Sequence, residues 1–206
     1  MALIQKTQFK DYVDFSDNIS DKKLNYHIKD AELFDFVPLV PIELFDNLNA
    51  LINTNIQQWS RTTAYIVGDK SYSPVNQKAY TCISSSTNNE PSANPLKWEE
   101  IELYTLFEDY IKPYLICSAY VRVLLWAGRN MSQYGLRTSV EDTSSEISDK
   151  ARGELMADIN NKKSYYWSRL IKTMSDNAYT YDDVVYNFNN NCEVSTNKRT
   201  FHIRAV

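Results

Sequence analysis

The 206-residue chain is poor in the residues on which many catalytic and cofactor sites depend, with four glycines and two histidines. Few glycines leave few places for a phosphate-cradling loop. His27 and His202 lie near opposite ends, and neither has a partner at the spacing of a helical zinc-binding pair. No nucleophile elbow, Walker loop or dinucleotide-binding fingerprint is present. We expect ordinary structural roles for both histidines.

Cysteines and acidic pairs also give no sign of a metal or catalytic site. Cys82, Cys117 and Cys192 are far apart and form no C-x-x-C motif, so they indicate neither a zinc site nor a disulfide framework. Adjacent acids such as Glu108-Asp109 point in different directions on a helix and do not share a site by themselves. The sequence therefore predicts no enzyme, no cofactor and no metal; carboxylates brought together by folding stay an alternative.

The chain has neither a basic excess nor a membrane-length apolar run. Its net charge is −4 and its Lys and Arg residues are scattered, so general attraction to nucleic acid is not expected. The longest apolar stretch, residues 111–126, contains Pro113 and Arg122 and is shorter than the roughly 20 residues that span a bilayer. The first ten residues lack the apolar centre of a signal peptide. We expect a folded protein made in a reducing cytoplasm, without membrane contact.

Tyrosine and helical periodicity are what the chain has in abundance. It has 15 tyrosines, whose rings suit both cores and partly wet subunit interfaces. Apolar residues recur at three- and four-residue steps over residues 42–57, 103–126 and about 145–175, which predicts three helices, the second kinked at Pro113. A shorter helix is expected at residues 30–36.

The remaining segments outside these helices give weaker signals. Thr143 and Glu146 have the spacing of a capping box at the start of the third long helix. A loop is predicted around residues 134–136. Residues 200–206 alternate in a way that favours an added strand.

Residues 59–100 interrupt the helical pattern with strand and turn signals. Short alternating runs at residues 65–67 and 79–83 are broken by Gly68-Asp69 and by a polar, proline-containing stretch. One predicted helix ends just before this segment and another begins just after it, so its two ends must lie close together, as in a small domain inserted into a loop. The sequence thus predicts a mainly α protein, a helical bundle body, with a small inserted all-β module.

The aromatic residues of this module follow a specific order. The sequence runs through Trp59, Tyr65, Gly68-Asp69, Tyr72, Tyr80, Glu90-Pro91 and Trp98. This resembles the small chitin-binding carbohydrate-binding modules of families 5 and 12. The resemblance implies scaffold roles for four aromatics, Trp59, Tyr65, Tyr80 and Trp98, and makes Tyr72 a candidate ligand contact. Residues 82–87 contain no aromatic where those modules present sugar-stacking tryptophans.

The layout of the whole chain resembles another family. The helix ending near Gln58, the long helix at residues 103–126, the loop at 134–136 and the helix at 144–174 before a polar tail look like the helical head–tail connector (adaptor) proteins of Bacteroidetes phages, including the crAss-like group. Proteins of this kind occur as a ring, commonly a dodecamer, beneath a portal protein, and line the channel through which DNA passes. The module also occurs in phage tail and connector proteins.

These resemblances imply a domain layout and a function. Residues 1–58 and 101–186 would form the connector body, residues 59–100 an inserted module that decorates it peripherally, and residues 187–206 a C-terminal docking tail. The expected function is that of a structural virion protein in a homo-oligomeric ring that binds the portal and neighbouring tail proteins. DNA would pass without specific binding. The alternative is a carbohydrate-binding host-surface adhesin or tail-associated binding protein.

Overall fold

The larger part of the fold is helical. The computed structural model describes residues 2–13, 19–126, 129–132, 135–138, 149–176, 179–181 and 184–186. The α-helices found there are α1 (Asp21–Asp30), α2 (Ile42–Asn53), α3 (Glu102–Leu106), α4 (Lys112–Trp126) and α5 (Asp149–Asp176). The chain also forms tighter 3-10 turns at Lys6–Asp11, Val37–Leu39 and Pro91–Ala93. It forms wider π turns at Ala31–Phe36 and Phe107–Ile111. The coarse prediction of a mainly α protein with a small β module is confirmed.

Helix α4 lies at the centre of the body. Helices α1 and α5 and the π turn Ala31–Phe36 all pack against it. An apolar helix face normally covers one side only, whereas α4 is buried without a break from Pro113 to Tyr120. Since each buried Leu, Ile or Phe side chain contributes roughly 1.5–3 kcal/mol, this helix anchors the core. Other core members with no exposed surface include Phe9, Leu24, Phe36, Leu44 and Leu48.

The predicted helix at residues 103–126 is divided by a π turn that comes shortly before Pro113. Helix α3 ends at Leu106, the π turn Phe107–Ile111 follows, and α4 begins at Lys112. Proline cannot donate to the carbonyl one turn earlier, and its ring crowds that carbonyl. The wider π turn directly before Pro113 relieves that crowding without ending the helical path. A change of helical pitch therefore precedes Pro113, where the kink was expected.

Helix α2 starts as predicted and ends at Asn53, four residues before the predicted end at residue 57. The side chains of Asn53 and Thr54 bond back to the carbonyls of Asn49 (2.7 Å) and Ala50 (2.8 Å), and Thr54 has extended backbone. These bonds supply partners for carbonyls that a helix end leaves unsatisfied. The chain is then free to enter the first strand at Gln57.

The N-terminal segment is attached to the body by a buried carboxylate. Glu32 is 7% exposed, and its Oε1 accepts a bond of 2.6 Å from the backbone N–H of Leu3. Burial raises the pKa of Glu32, and backbone N–H groups of Leu3 and Ile4 oppose that shift. Leu3 and Ile4 themselves join the main core.

The module contains a four-stranded sheet in the order β1-β3-β4-β6. Its strands are β1 (Gln57–Gln58), β3 (Lys70–Ser73), β4 (Lys78–Cys82) and β6 (Trp98–Glu100). Strand β1 runs parallel to β3, and the other two pairings are antiparallel. A separate two-stranded ladder joins β2 (Ala64–Tyr65) to β5 (Ser86–Thr87). The segment enters on one edge strand and leaves on the other, about 14 Å apart at the usual strand spacing.

The sheet of the module buries side chains on both of its faces. On β4, Tyr80 and Cys82 belong to the module's own small core, whereas Ala79 belongs to the main core. Tyr72 is paired in register with Ala79 and so lies on the same face. The Ile101 N–H donates to the Ala79 carbonyl (2.8 Å), which joins the start of α3 to the sheet. The module is thus packed onto the body.

Two hairpins differ from the sequence prediction. Residues 134–136 were expected to form a loop, but β7 (Arg129–Ser132) pairs with β8 (Gly135–Thr138), with Met131 opposite Leu136. The prediction was wrong because this stretch lacks the apolar alternation that marks strands. A second, unpredicted hairpin joins β9 (Tyr179–Tyr181) to β10 (Val184–Tyr186). The Thr143–Glu146 capping box, the 200–206 strand and the 187–206 docking tail lie outside the described residues.

Candidate functional sites

The four scaffold aromatics lie together inside the module. Tyr65, Tyr80 and Trp98 are buried, and Trp59 is half-buried against them. The rings of Tyr65 and Trp98 meet edge to face with centroids 5.0 Å apart. The polar atoms of these two rings are bonded as well: the Tyr65 hydroxyl accepts from the Ser60 N–H (2.8 Å), and the Trp98 indole N–H donates to the Asn89 carbonyl (3.0 Å). These rings pack together in the module's own small core.

The Gly68-Asp69 pair forms the turn that orients strand β3. Gly68 has φ +95°, a conformation that side chains other than glycine rarely adopt. The Asp69 carboxylate accepts from the Ile66 N–H (2.9 Å), and backbone bonds in both directions join Gly68 and Asp69 to Cys82 (2.8 Å each). The turn therefore fixes the outer end of β3 against the outer end of β4.

The outer end of the module carries exposed aliphatic side chains. Ile66, Val67, Ile83 and Leu96 are all large and exposed, with Leu96 at 87%. The Ile83 N–H bonds to the Lys97 carbonyl (2.8 Å), which brings Ile83 beside the Leu96 segment. Sugar rings stack on flat aromatic faces, and these branched side chains offer none. Residues 82–87 lack the stacking tryptophans of the chitin-binding modules, and this end of the folded module exposes aliphatic side chains instead.

Tyr72 lies at the inner end of the module, beside a cleft between the sheet and the helical body. Its ring meets the ring of Tyr104 on α3 edge to face, with centroids 6.4 Å apart. The cleft has a volume of about 680 Å³. Besides these two tyrosines its walls include Tyr12, Glu108 and Asp109. The lining also includes two lysines and several side-chain amides: Lys78, Lys112, Gln8, Gln58, Asn76 and Gln77.

Glu108 is the common neighbour of the three tyrosines. Burial raises the pKa of Tyr12 and of Tyr104 to about 12, and the negative charge of Glu108 adds to both shifts. The pKa of Tyr72 is raised by the same two causes, burial first. The charge of Glu108 thus acts on all three phenols. All three therefore stay protonated and can donate or accept hydrogen bonds at neutral pH.

The lysines of the cleft are committed to carboxylates. Lys78 Nζ lies 2.7 Å and 2.8 Å from the two oxygens of Glu100, and Lys112 forms an ion pair with Glu108. Burial raises the pKa of Asp109, which Lys78 opposes. Asp109 forms no ion pair with another residue of the described chain. The cleft can accordingly accept a polar ligand that carries hydroxyl or cationic groups.

Sequence reasoning identified Tyr72 and missed its neighbours in the cleft. Tyr12 is far in the chain from Tyr104 and Glu108, and none of the three belongs to a recognisable motif. The abundance of tyrosine was the one available signal. It does not say which tyrosines meet.

A second candidate surface lies on the body, at the end of α4. We define the body patch as Phe34, Leu125 and Trp126 around the Arg122 side chain. Phe34 is 66% exposed and Trp126 54%. The Arg122 guanidinium lies 5.9 Å from the centre of the Phe34 ring, and Trp126 follows Arg122 by one helical turn. Phe34 thus lies at Arg122, and Leu125 and Trp126 lie within one turn of Arg122 on α4.

The Arg122 side chain is held in place by Asp35. Asp35 accepts two bonds from its guanidinium, at 2.9 Å and 3.0 Å, and also lies 3.8 Å from Lys163 on α5. The bond to Asp35 is the main cause of a raised pKa at Arg122. Such a two-point contact fixes the plane of the guanidinium. The body patch is therefore a pre-formed surface.

The remaining reactive side chains of the described chain have structural surroundings. Burial lowers the pKa of His27, which is half-buried on α1, and raises the pKa of the buried Cys117 thiol to about 11. No group of three or more His, Cys, Asp or Glu side chains among the described residues could hold a metal ion. Within the same residues, no helix is both long and apolar enough to cross a bilayer.

Comparison with known proteins gives a family. Residues 66–195 match the model of DUF6712, a family of unknown function. That range is more than half of the 206 residues. The chain belongs to DUF6712. No curated protein and no solved structure matches the chain. The matched range begins inside the module and runs through α5, so this DUF6712 protein shares with its family a region that includes both most of the module and the centre of the body.

Proposed function

We propose that this DUF6712 protein is a structural protein of a tailed-phage virion. It forms an oligomeric ring, a dodecamer as in the connectors that it resembles, below the portal in the head–tail connector, and it lines the channel through which DNA passes. It is made in the bacterial host cytoplasm and is not an enzyme. The observation that carries this proposal is the body patch, an apolar surface of the kind by which subunits associate.

The body patch has the composition of a protein-binding surface. Tryptophan, other aromatics and arginine are enriched where protein partners meet, and they contribute most of the binding energy. Single exposed apolar residues are ordinary, but adjacent large ones favour an interaction site. Here Phe34, Leu125 and Trp126 are all at least 40% exposed, and the Phe34 ring lies at the guanidinium of Arg122, within one helical turn of the other two. The patch therefore supports association with a second copy or with a portal protein.

The overall charge supports the same role. A net charge of −4 on each subunit gives a ring whose field repels the phosphate backbone. A channel wall of this kind lets DNA pass without specific binding, because it supplies no excess of cations to replace DNA counterions.

The test is association with the portal protein encoded near this gene. The chain is co-expressed with that portal and captured through a tag on the portal. Separately, the mass of the chain in solution is measured by light scattering after size-exclusion chromatography. We expect capture of the wild type and at least tenfold weaker capture of the double variant Phe34→Ser, Trp126→Ser.

The matched control removes two exposed aliphatics from the module instead, Ile66→Ser with Leu96→Ser. It should be captured like the wild type. Absence of any association by the wild type, with the portal and with itself, contradicts the proposal. Equal capture of the body-patch variant and the wild type contradicts the role given to the patch.

The adhesin is the second candidate function, and Tyr72 at the cleft is the observation that favours it. A half-exposed tyrosine beside amides and carboxylates could bind a saccharide. This hypothesis predicts retention on chitin or another cell-wall glycan that weakens in Tyr72→Ala. The ring proposal predicts no retention on a glycan panel by either protein.

A further inference from the structure

The cleft beside Tyr72 has the chemistry of a receptor for basic side chains. The negative faces of aromatic rings attract guanidinium and ammonium groups, and carboxylates strengthen that attraction. Tyr12, Tyr72 and Tyr104 supply the rings, and Glu108 lines the same cleft and acts electrostatically on all three. A volume of about 680 Å³ can hold a short peptide segment with two or three side chains.

The charges of the cleft favour a cationic occupant. Three carboxylates lie in or beside it, Glu100, Glu108 and Asp109, against two lysines. Both lysines are already paired, whereas Asp109 forms no ion pair with another described residue and is exposed. A basic group from outside the described residues would give Asp109 an ion-pair partner.

One segment of this chain has the complementary charge. Residues 187–206 contain Lys198, Arg199 and Arg204 against the single acid Glu193, a net charge of +2. The whole chain carries −4, so residues 1–186 carry −6. Phe201 adds an aromatic ring close to the basic pair. The charge of this segment is opposite in sign to that of the rest of the chain.

The last described residues belong to a hairpin that packs against a helix of the cleft. Strand β10 ends at Tyr186 and is paired with β9, and β9 packs against α3. The same helix supplies Tyr104 and Thr105 to the cleft. Twenty residues follow Tyr186 and can span up to about 66 Å when extended. A tether of that length holds a ligand at an effective concentration on the order of millimolar.

We infer that the cleft beside Tyr72 is a peptide-binding site, and that its occupant is the basic segment 187–206 of the same chain. The side chains of Lys198 and Arg199 bind among the three tyrosines and the carboxylates of Glu108 and Asp109. The inference does not depend on the proposed ring, because it concerns each chain by itself.

Photo-crosslinking of the full-length chain tests the inference. A benzophenone amino acid replaces Gln77, an exposed residue on the rim of the cleft, and the adducts are mapped by mass spectrometry. We expect adducts to residues 187–206 on a chain that still runs as a monomer in a denaturing gel. The matched probe replaces Ile83 at the other end of the module and should give at least fivefold fewer such adducts.

Charge variants separate the basic pair from a general effect. Lys198→Glu with Arg199→Glu, and separately Asp109→Asn, should each lower the adduct yield at least threefold. The control reverses another adjacent basic pair, Lys22→Glu with Lys23→Glu on α1, and should leave the yield unchanged. Asp109 is exposed, so its variant is expected to fold.

Three results would overturn the inference. One is a yield of adducts to residues 187–206 that is the same from positions 77 and 83. Another is a yield that neither charge variant changes. The third is adducts found in the dimer band alone, which would show that the segment binds the cleft of another copy.

Discussion

The two hydrophobic cores of this protein are built on different plans. The core of the body has many aliphatic side chains from several helices around α4, whereas the module's core has five side chains, four of them aromatic. A segment of about 40 residues buries too little area to fold on aliphatics alone. Tyrosine and tryptophan supply more area per residue, and their polar atoms bond the loops around them. Small cores depend on few residues, and each therefore matters more.

The largest expected effect comes from emptying the module's core. Trp98→Ala should cost about 3–5 kcal/mol of local stability, since it removes a buried ring and leaves a cavity. Hydrogen exchange should show lost protection over residues 57–100 and retained protection in α4. Leu115→Ala in the body should cost about 2–5 kcal/mol and raise exchange throughout the helices.

Trp126→Ala is the control for that comparison. Its side chain is 54% exposed, and surface substitutions usually change stability by about 0.5 kcal/mol or less. If Trp98→Ala lost as much protection from hydrogen exchange in α4 as in the sheet, the division into two cores would be contradicted. That result would mean that Ala79, which joins them, makes one cooperative unit.

An intermediate effect should come from two glycines with opposite roles. Gly68→Ala should destabilise the protein by about 1–2 kcal/mol, because Gly68 has φ +95°. Gly153→Ala lies in α5, where a Cβ would meet nothing within 4 Å, and should stabilise by about 0.5–1 kcal/mol. Thermal unfolding of the two variants beside the wild type checks the signs. Shifts of the same sign would contradict this account of the module's turn.

The smallest expected effect is a pH dependence in the body. Burial raises the pKa of Glu32 above its value in the unfolded chain, so the folded state binds this proton more tightly. Stability from this group is therefore present at low pH and is lost as the pH rises through its folded pKa. The wild type should gain stability relative to Glu32→Gln between pH 7 and pH 4.5 in urea unfolding. A difference that stays constant over that range would contradict the prediction.

The long periodic helices and the aromatic order of the module could be predicted from the sequence. The apolar steps of three and four residues that mark α2, α4 and α5 are a local signal, whereas the scaffold roles of the aromatics from Trp59 to Trp98 were implied by the resemblance to small carbohydrate-binding modules. The hairpin at residues 129–138 could not be predicted, since Arg129–Ser132 and Gly135–Thr138 have no apolar alternation. The rule that proline distorts a helix predicted a distortion near Pro113. It did not predict that the distortion would be a π turn.

The sequence by itself determined the long helical stretches that became α2, α4 and α5, and the strand and turn signals of the module. Each of those features rests on neighbours within a few turns or one strand pair. Only the tertiary structure decided that Tyr72 meets Tyr104, that Tyr12 and Glu108 join them, and that Phe34 lies over Arg122. Those contacts join segments tens of residues apart, and they depend on how the sheet and α1 pack against the central helical path, which no local pattern specifies.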